Sequence, residues 1–259
     1  MKKKHSRARE LVACLKKNGV VTIADLSKKF DVSHMTIRRD LETLAGNNLV
    51  KLINGVAVYA PGNIAEHALS PYYLSRAESV MAKEKIRICK KAASLIEAND
   101  TVIIDAGSTT AYLPQFIPDN LPLTILCYTT NVLLKLQNRE NCKLIFAGGY
   151  FHNNTRMFES PEGVGLIRQH RAHKAFISAS AISAVLGVMC SNPYEIETKK
   201  AVMQSSLVKI LLADSSKFDK IQSSYFADLK DFNIIITDKR MPVTYRQLIR
   251  ENNSTLYTV

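Results

Sequence analysis

Thr22-Ile23-Ala24-Asp25-Leu26-Ser27-Lys28-Lys29-Phe30-Asp31-Val32-Ser33-His34-Met35-Thr36-Ile37-Arg38-Arg39-Asp40-Leu41-Glu42-Thr43-Leu44 reads as two short helices on either side of a break. Thr22 has the chemistry of a helix cap, its hydroxyl able to accept an orphan N–H, and Asp25 sets an acid at the positive helix end. Ile23, Leu26 and Phe30 make one apolar face. Asp31-Val32 interrupts the pattern. Ser33 then caps a second helix with Ile37, Leu41 and Leu44 on its buried side. The opposite side shows His34, Met35, Thr36, Arg38 and Arg39. Short helix, tight turn, then a helix with hydroxyl and basic residues at its start describe a helix-turn-helix. In such a motif the start of the second helix enters the major groove. Short polar side chains reach base edges there, while arginines hold phosphates or bridge guanine O6 and N7.

Working outward, Ala8, Leu11, Val12 and Leu15 follow helical spacing up to Asn18-Gly19 and predict a leading helix. On the other side, Val50, Leu52, Val56 and Val58 bracket Asn54-Gly55, the strongest short-range hairpin signal. A hairpin after a helix-turn-helix is a wing, so residues 1–60 read as a winged helix. The candidate DNA contacts are Ser33, His34, Met35, Thr36, Arg38 and Arg39 on the helix, with Lys51 and Asn54 on the wing. Charge agrees: residues 1–60 hold 12 Lys and Arg against 5 Asp and Glu, net +7 of the chain's +12. A basic head of that kind suits a polyanion. The bland alternative is a small helical subdomain whose arginines face water.

The chain has 259 residues, 46% hydrophobic and 22% charged, the balance of a folded globular protein. That length accommodates one large domain, or a small one and a medium one. No stretch approaches the roughly 20 apolar residues that span a bilayer. Met1-Lys2-Lys3-Lys4-His5 leads into mixed polar sequence, not an apolar signal core. The expectation is a cytoplasmic protein with no membrane partner. Cys14, Cys89, Cys127, Cys142 and Cys190 form an odd, scattered set with no C-x-x-C pair, as free thiols do in a reducing compartment.

Residues 61–75 break periodicity and carry Pro61 and Pro71, the character of a connection, which leaves residues 76–259 as a second domain. Helical spacing returns from Lys83 to Ala98 through Ile86, Cys89, Ala93 and Ile96. Apolar runs then recur at Val102–Ile104, Leu123–Cys127, Leu144–Phe146, Ala175–Ile177, Val208–Leu212 and Ile234–Ile236, separated by amphipathic stretches. Such alternation predicts an α/β domain with a doubly wound, largely parallel sheet. Ligands of these sheets bind beyond the carboxyl ends of the strands. The first such end, Asp105-Ala106-Gly107-Ser108-Thr109-Thr110, offers hydroxyls and amides to a phosphate, although Ser/Thr clusters also cap helices generally. Other strand ends carry Thr130-Asn131, Gly148-Gly149 and Asp214-Ser215-Ser216-Lys217.

Val32-Ser33-His34-Met35-Thr36-Ile37-Arg38-Arg39-Asp40-Leu41 resembles the V-S-x-x-T-I-R-R-D-L signature of DeoR-type bacterial transcriptional regulators at every specified position. The wing departs from that family's R-x-x-G-G-A, with Lys51, Asn54, Gly55 and Val56. The second half is similar to the same family's effector domain. D-x-G-[ST]-T-T matches Asp105 to Thr110, and E-x-x-x-K matches Glu195 with Lys199. D-x-S-K-F-G matches Asp214, Ser216, Lys217 and Phe218, with Asp219 in place of the glycine. Where members often carry F-x-G-x-x-G, this chain has Phe176-Ile177-Ser178-Ala179-Ser180-Ala181.

The resemblance implies a domain similar to ribose-5-phosphate isomerase that binds a phosphorylated sugar as effector. It implies Asp105, Gly107, Ser108, Thr109, Thr110, Asn131, Gly148, Gly149, Ser178, Glu195 and Lys217 as effector contacts, Gly107 to Thr110 cradling the phosphate and Lys217 opposing its charge. Lys217 also reads as a merely solvated lysine. Cys127-Tyr128, Gly148-Gly149-Tyr150-Phe151-His152 and Phe176-x-Ser178-Ala179 look like the deoxyribonucleoside-operon branch, which implies deoxyribose 5-phosphate as inducer.

An isomerase fused to a DNA-binding head is the competing reading. Aldose–ketose isomerisation needs a general base near C2, and Ser178 to Ala181 supply no carboxylate where the isomerases carry acids. Asp105 and Asp214 more simply shape loops. A deoxyribose also lacks the C2 hydroxyl that the reaction oxidises. A metal-dependent regulator fares no better: His170-x-x-His173 is flanked by Arg168, Arg171 and Lys174, cations that oppose metal binding. No catalytic residue, metal or cofactor is expected. The expected partners are double-stranded operator DNA, a phosphorylated sugar, and further copies of the chain on paired half-sites.

Overall fold

In a computed structural model the described residues are 7, 10–12, 14, 15, 18–46, 50–53, 55–59 and 72–259, with backbone only at 46, 51, 53 and 59. They divide into two units, residues 1–71 and 72–259. Asn54 and residues 61–71 of the expected connection lie outside the described residues. Residues 72–75, read from the sequence as the end of that connection, belong to the second unit.

In the first unit, the described residues from 7 to 18 are helical, and β1 (Val20–Thr22) leads directly into α1 (Ile23–Phe30). The Thr22 hydroxyl accepts the Asp25 N–H at 3.1 Å, the cap that the sequence predicts. Asp31 closes α1 in a left-handed conformation (φ 49°), its N–H and that of Val32 returning to Lys28 O and Ser27 O. The chain then starts α2 (His34–Gly46), where Ser33 Oγ accepts the Thr36 N–H at 3.2 Å. Leu11, Leu15, Leu26, Ile37 and Leu41 have no exposed surface and form one small core with Leu44, Val50 and Ala57. β2 (Val50–Ile53) and β3 (Val56–Tyr59) are the expected wing, with Ile53 opposite Val56. β1 was not legible in the sequence. It adds antiparallel to β3, Val20 opposite Val58, completing a three-stranded sheet from three residues too few to show an alternating pattern.

The second unit opens with α3 (Leu74–Ser79) and α4 (Ala82–Ala93). Helix α4 is shorter than its predicted range; Cys89, Ala93 and, beyond its end, Ile96 are buried as predicted, together with Lys85, Ile88 and Ala92, while Ile86 is 38% exposed. A seven-stranded sheet follows, made of β4 (Thr101–Ile104), β5 (Leu123–Cys127), β6 (Cys142–Phe146), β9 (Ala172–Ser178), β12 (Ser206–Leu212), β14 (Ile234–Thr237) and β15 (Thr255–Thr258). Every pairing in it is parallel, in the order β15-β14-β12-β9-β4-β5-β6. Between β6 and β9 lie a hairpin, β7 (Tyr150–His152) with β8 (Met157–Glu159), and α6 (Pro161–Gln169). β10 (Ala181–Ser183), β11 (Gly187–Cys190) and β13 (Ser224–Ala227) form a small antiparallel sheet.

Alternation along the strands builds two cores. Ile103, Leu126, Ile177, Leu211 and Ile235 face one side, packed by α6, α7 (Ile196–Ser205) and α8 (Val243–Glu251) through Ile167, Val202 and Ile249. Val102, Ile104, Ile125, Phe176, Ile210 and Ile236 face the other, under α4 and α5 (Thr130–Leu136). Burial on both faces is why these strands read as continuous apolar runs. Thr110–Phe116 is a 3₁₀ helix, with Pro114 withholding an N–H inside it. The fold is the doubly wound α/β domain expected from the sequence, preceded by a winged helix.

Candidate functional site

Strand order fixes where a ligand can sit. From β4 the chain winds outward through β5 to β6; from β9 it winds the other way through β12, β14 and β15. The loops leaving β4 and β9 therefore diverge, and a crevice opens between them at the carboxyl ends. Gly107 lies in the first loop and Ser178 ends the second strand. A Cβ on Gly107 would collide with the Cβ and Oγ of Ser178, so glycine here lets the two loops pack against each other.

A buried polar cluster staples that junction. Asp105 is 1% exposed. Its Oδ2 accepts the Ser178 N–H at 2.9 Å, the Ser178 hydroxyl at 3.2 Å and Lys199 Nζ at 2.5 Å, while Oδ1 accepts the Tyr128 hydroxyl. Lys199 Nζ also donates to Ser178 O at 3.2 Å and stands 4.0 Å from Glu195 Oε2. Burial works against the Lys199 charge, but Asp105 and Glu195 outweigh it and the net shift is upward. Glu195 is shifted upward too, chiefly by burial, with Lys199 opposing. Its Oε1 accepts from Asn192 N and Nδ2 at 3.1 and 2.7 Å.

Above this cluster is a narrow cleft, partly open to solvent. Gly107, Ser108, Thr109, Ser178, Glu195 and Lys217 line it, six of the positions predicted from sequence. Lys217 ends a 3₁₀ turn capped by Asp214, whose Oδ1 accepts the Ser216 N–H at 3.0 Å. Among the described residues Lys217 makes no ion pair, and its charge instead bears on another lysine, Lys85. A cation, hydroxyls and a loop at a strand end are the groups from which anion sites are built.

Five predicted effector residues are elsewhere. Asp105 lies beneath the cleft with both oxygens engaged, and Thr110 has no exposed surface and donates its hydroxyl to Gly107 O at 3.1 Å. Asn131, Gly148 and Gly149 follow β5 and β6, to one side of the crevice, and do not line the cleft. Gly149 has φ 144°, and a Cβ there would strike Glu159 O and Ser160 Cβ, so its requirement is backbone packing. The cleft also contains residues the sequence reading missed. Tyr72, Leu74 and Thr155 come from segments with no periodic signal. Lys199, beneath the cleft, was named in the sequence through the family's E-x-x-x-K pattern with Glu195 and not as an effector contact.

On the winged helix, Ser33, His34, Met35, Arg38 and Arg39 are exposed and Thr36 is half-buried. Met35 keeps 68% of its surface free. Arg38 makes only an exposed contact to Glu42 at 3.3 Å, within one helix face. Asp40 points the other way, 3% exposed and held by Arg7 Nε at 2.6 Å. The arginines are thus presented outward and the aspartate braces the core. Lys51 lies on β2, an edge strand of the wing sheet, opposite Val58 on the inner strand β3. Burial pushes Cys89, Cys127 and Cys190 up to about 12, as befits inert core thiols. Among the described residues no helix is long and apolar enough to cross a membrane, and no His, Cys, Asp or Glu group is arranged to hold a metal.

Comparison with known proteins agrees with both halves. Residues 7–61 match the DeoR-like helix-turn-helix domain and residues 80–239 the DeoR C-terminal sensor domain. The chain is 31% identical over 236 residues to the deoxyribose operon repressor of Escherichia coli K12, covering 91% of each chain. It is 27% identical over 235 residues to the transcriptional regulator GolR of Listeria innocua, again covering 91% of each. Among solved structures, ribose 5-phosphate isomerase of Methanocaldococcus jannaschii is similar over 66% of each chain at 14% identity, with a TM-score of 0.41. With matched domains over both units and relatives that are regulators and not enzymes, the chain belongs to the DeoR family of transcriptional regulators.

Proposed function

We propose that this chain represses a sugar-catabolic operon and is released from its operator by a phosphorylated sugar, deoxyribose 5-phosphate. It works in the cytoplasm as a homo-oligomer on paired half-sites. Ser33, His34, Met35 and Thr36 meet base edges, while Arg38, Arg39, Lys51 and Asn54 hold phosphates or guanines. The phosphate of the effector rests on Gly107 to Thr109 against Lys217, and Ser178 and Glu195 take sugar hydroxyls. The observation that carries this reading is the cleft at the switch point, which Lys217 lines together with Ser108 and Thr109 while making no ion pair among the described residues. The 31% identity with a deoxyribose operon repressor, over 91% of both chains, supports the choice of sugar. Asp105 and Lys199 are engaged with each other beneath the cleft, which suits a binding site better than a reacting one.

A gel shift on the chain's own upstream region, challenged with a panel of phosphosugars, tests the whole reading. Arg39→Ala should weaken operator binding and reduce the salt slope of log K by about one. Lys217→Ala should keep operator affinity while raising the sugar-phosphate concentration needed for release by about tenfold or more. Release that is untouched in Lys217→Ala would place the phosphate elsewhere.

A further inference from the structure

The turn between β7 and β8 brings Thr155 into the lining of the cleft. Thr155 is buried, and the direction of its hydroxyl proton is settled by its neighbours. The Tyr194 hydroxyl donates to Asn154 Oδ1 at 3.0 Å, which uses its one proton. The phenol oxygen stands 3.2 Å from Thr155 Oγ1 and can there only accept. The other neighbour of Thr155 Oγ1, His152 O at 3.5 Å, is a carbonyl and likewise only accepts. Whichever of the two receives it, the Thr155 proton is turned toward the protein. What remains for a ligand is the lone pairs of the oxygen.

The turn is held stiffly. The Tyr194 ring lies flat on His152, with centroids 3.6 Å apart and planes 4° from parallel. His152 Nε2 in turn meets Glu159 Oε2 at 3.2 Å. On either side of Thr155 the backbone is tied down: Asn154 O accepts the Leu74 N–H at 2.8 Å, and Arg156 O the Thr130 N–H at 3.0 Å. A hydroxyl fixed in this way cannot turn its proton to suit a ligand of the wrong kind.

We propose that Thr155 is a specificity-determining residue of the cleft, an acceptor that calls for a free hydroxyl on the phosphorylated ligand and disfavours a carboxylate in its place. This rests on the effector reading given above. Gly107 to Thr109 and Lys217 offer donors and a cation, the groups a phosphate takes. Thr155 offers the opposite, and Glu195, next in the chain after Tyr194, adds a carboxyl group to the same lining. A sugar hydroxyl has a proton to give to Thr155. A carboxylate has none and sets lone pairs against lone pairs beside Glu195. A site built around a ligand hydroxyl rejects the analogue that lacks it, because its own buried polar group is then left unpaired. The ligand class is therefore monophosphorylated sugars with free hydroxyls, not phosphorylated sugar acids.

The test is calorimetric titration of the full chain with deoxyribose 5-phosphate, erythronate 4-phosphate and inorganic phosphate, in wild type, Thr155→Val, Thr155→Ser and Tyr194→Phe. Thr155→Val keeps the shape and removes the oxygen. Its affinity for deoxyribose 5-phosphate should fall by about fivefold or more, the worth of one net hydrogen bond, while inorganic phosphate binds as before. Thr155→Ser should bind the sugar phosphate as wild type does. Tyr194→Phe removes the oxygen nearest the Thr155 hydroxyl, so that its proton can turn to a ligand, and erythronate 4-phosphate should gain on deoxyribose 5-phosphate. An equal loss of sugar phosphate and inorganic phosphate in Thr155→Val, or no loss of either, would overturn the proposal and leave the cleft as the phosphate site. Should Thr155→Val melt too early to titrate, an unchanged preference for sugar over acid in Tyr194→Phe overturns it alone. Failure of wild type to bind deoxyribose 5-phosphate or inorganic phosphate would overturn the effector reading as well.

Discussion

Lys85 and Lys199 are both buried from solvent, and their surroundings push them in opposite directions. Around Lys199, Asp105 at 2.5 Å and Glu195 at 4.0 Å outweigh desolvation and raise its pKa above 10.5. Lys85 has two carbonyls and an Asp214 oxygen only at 3.9 Å, so burial dominates and pulls it from 10.5 down to about 8. Linkage gives each a sign. The stabilising contribution of Lys199 is complete below pH 10.5 and is lost as pH rises through its folded value. That of Lys85 is present above 10.5 and is lost as pH falls toward 8. The stability difference between wild type and Lys85→Met, from urea unfolding, should therefore move in favour of wild type from pH 8 to 10.5. Lys199→Met should cost about 3–5 kcal/mol at pH 7, because it strands a buried carboxylate, and Asp105→Asn should restore much of that loss. A flat Lys85→Met difference across the window would refute the burial argument. Sequence showed these two lysines unequally. Lys199 was marked by the family pattern E-x-x-x-K that it completes with Glu195, whereas Lys85, among neighbouring lysines and arginines, was not singled out.

Elements were legible in proportion to their burial. Strands β4, β5, β9, β12 and β14 are covered on both faces and gave unbroken apolar runs, recovered within a few residues; the edge strand β6 was recovered through Leu144–Phe146, which pack partly buried against the cores. β1, β7, β8, β10, β11 and β13 are three or four residues long, and the edge strand β15 has an exposed threonine at each end, so none carries a pattern of its own. The same limit explains Gly148-Gly149, which sequence reads as one ligand-approaching pair. The structure separates them: Gly149 has φ 144° and no room for a side chain, whereas a Cβ at Gly148 meets nothing within 4 Å. Gly149→Ala should thus destabilise the sensor unit by at least about 2 kcal/mol through strain where β7 begins. Gly148→Ala should stay within about 0.5 kcal/mol. Equal losses in urea unfolding would contradict this division. Neither substitution should alter operator affinity at temperatures where the sensor unit is folded.

At the scale of the whole molecule, induction needs a free energy that runs between two units, and thermodynamics restricts its form. If deoxyribose 5-phosphate loosens the operator by a factor, the operator must loosen deoxyribose 5-phosphate by that same factor. A hundredfold effect corresponds to about 2.7 kcal/mol of coupling, no more than a few side-chain contacts supply. Calorimetric titration of deoxyribose 5-phosphate into the free protein and into its complex with a short operator duplex should therefore give affinities in the ratio measured for operator binding without and with saturating sugar. Salt must be held constant, because the phosphate contacts of the winged helix make the operator constant steeply dependent on it. Arg39→Ala should lower operator affinity in the presence and absence of sugar alike and leave the ratio unchanged, since it removes a contact made to DNA and not to the switch. Two ratios that disagree would mean that the sugar acts on the assembly in some way other than through a shift between two states of the chain.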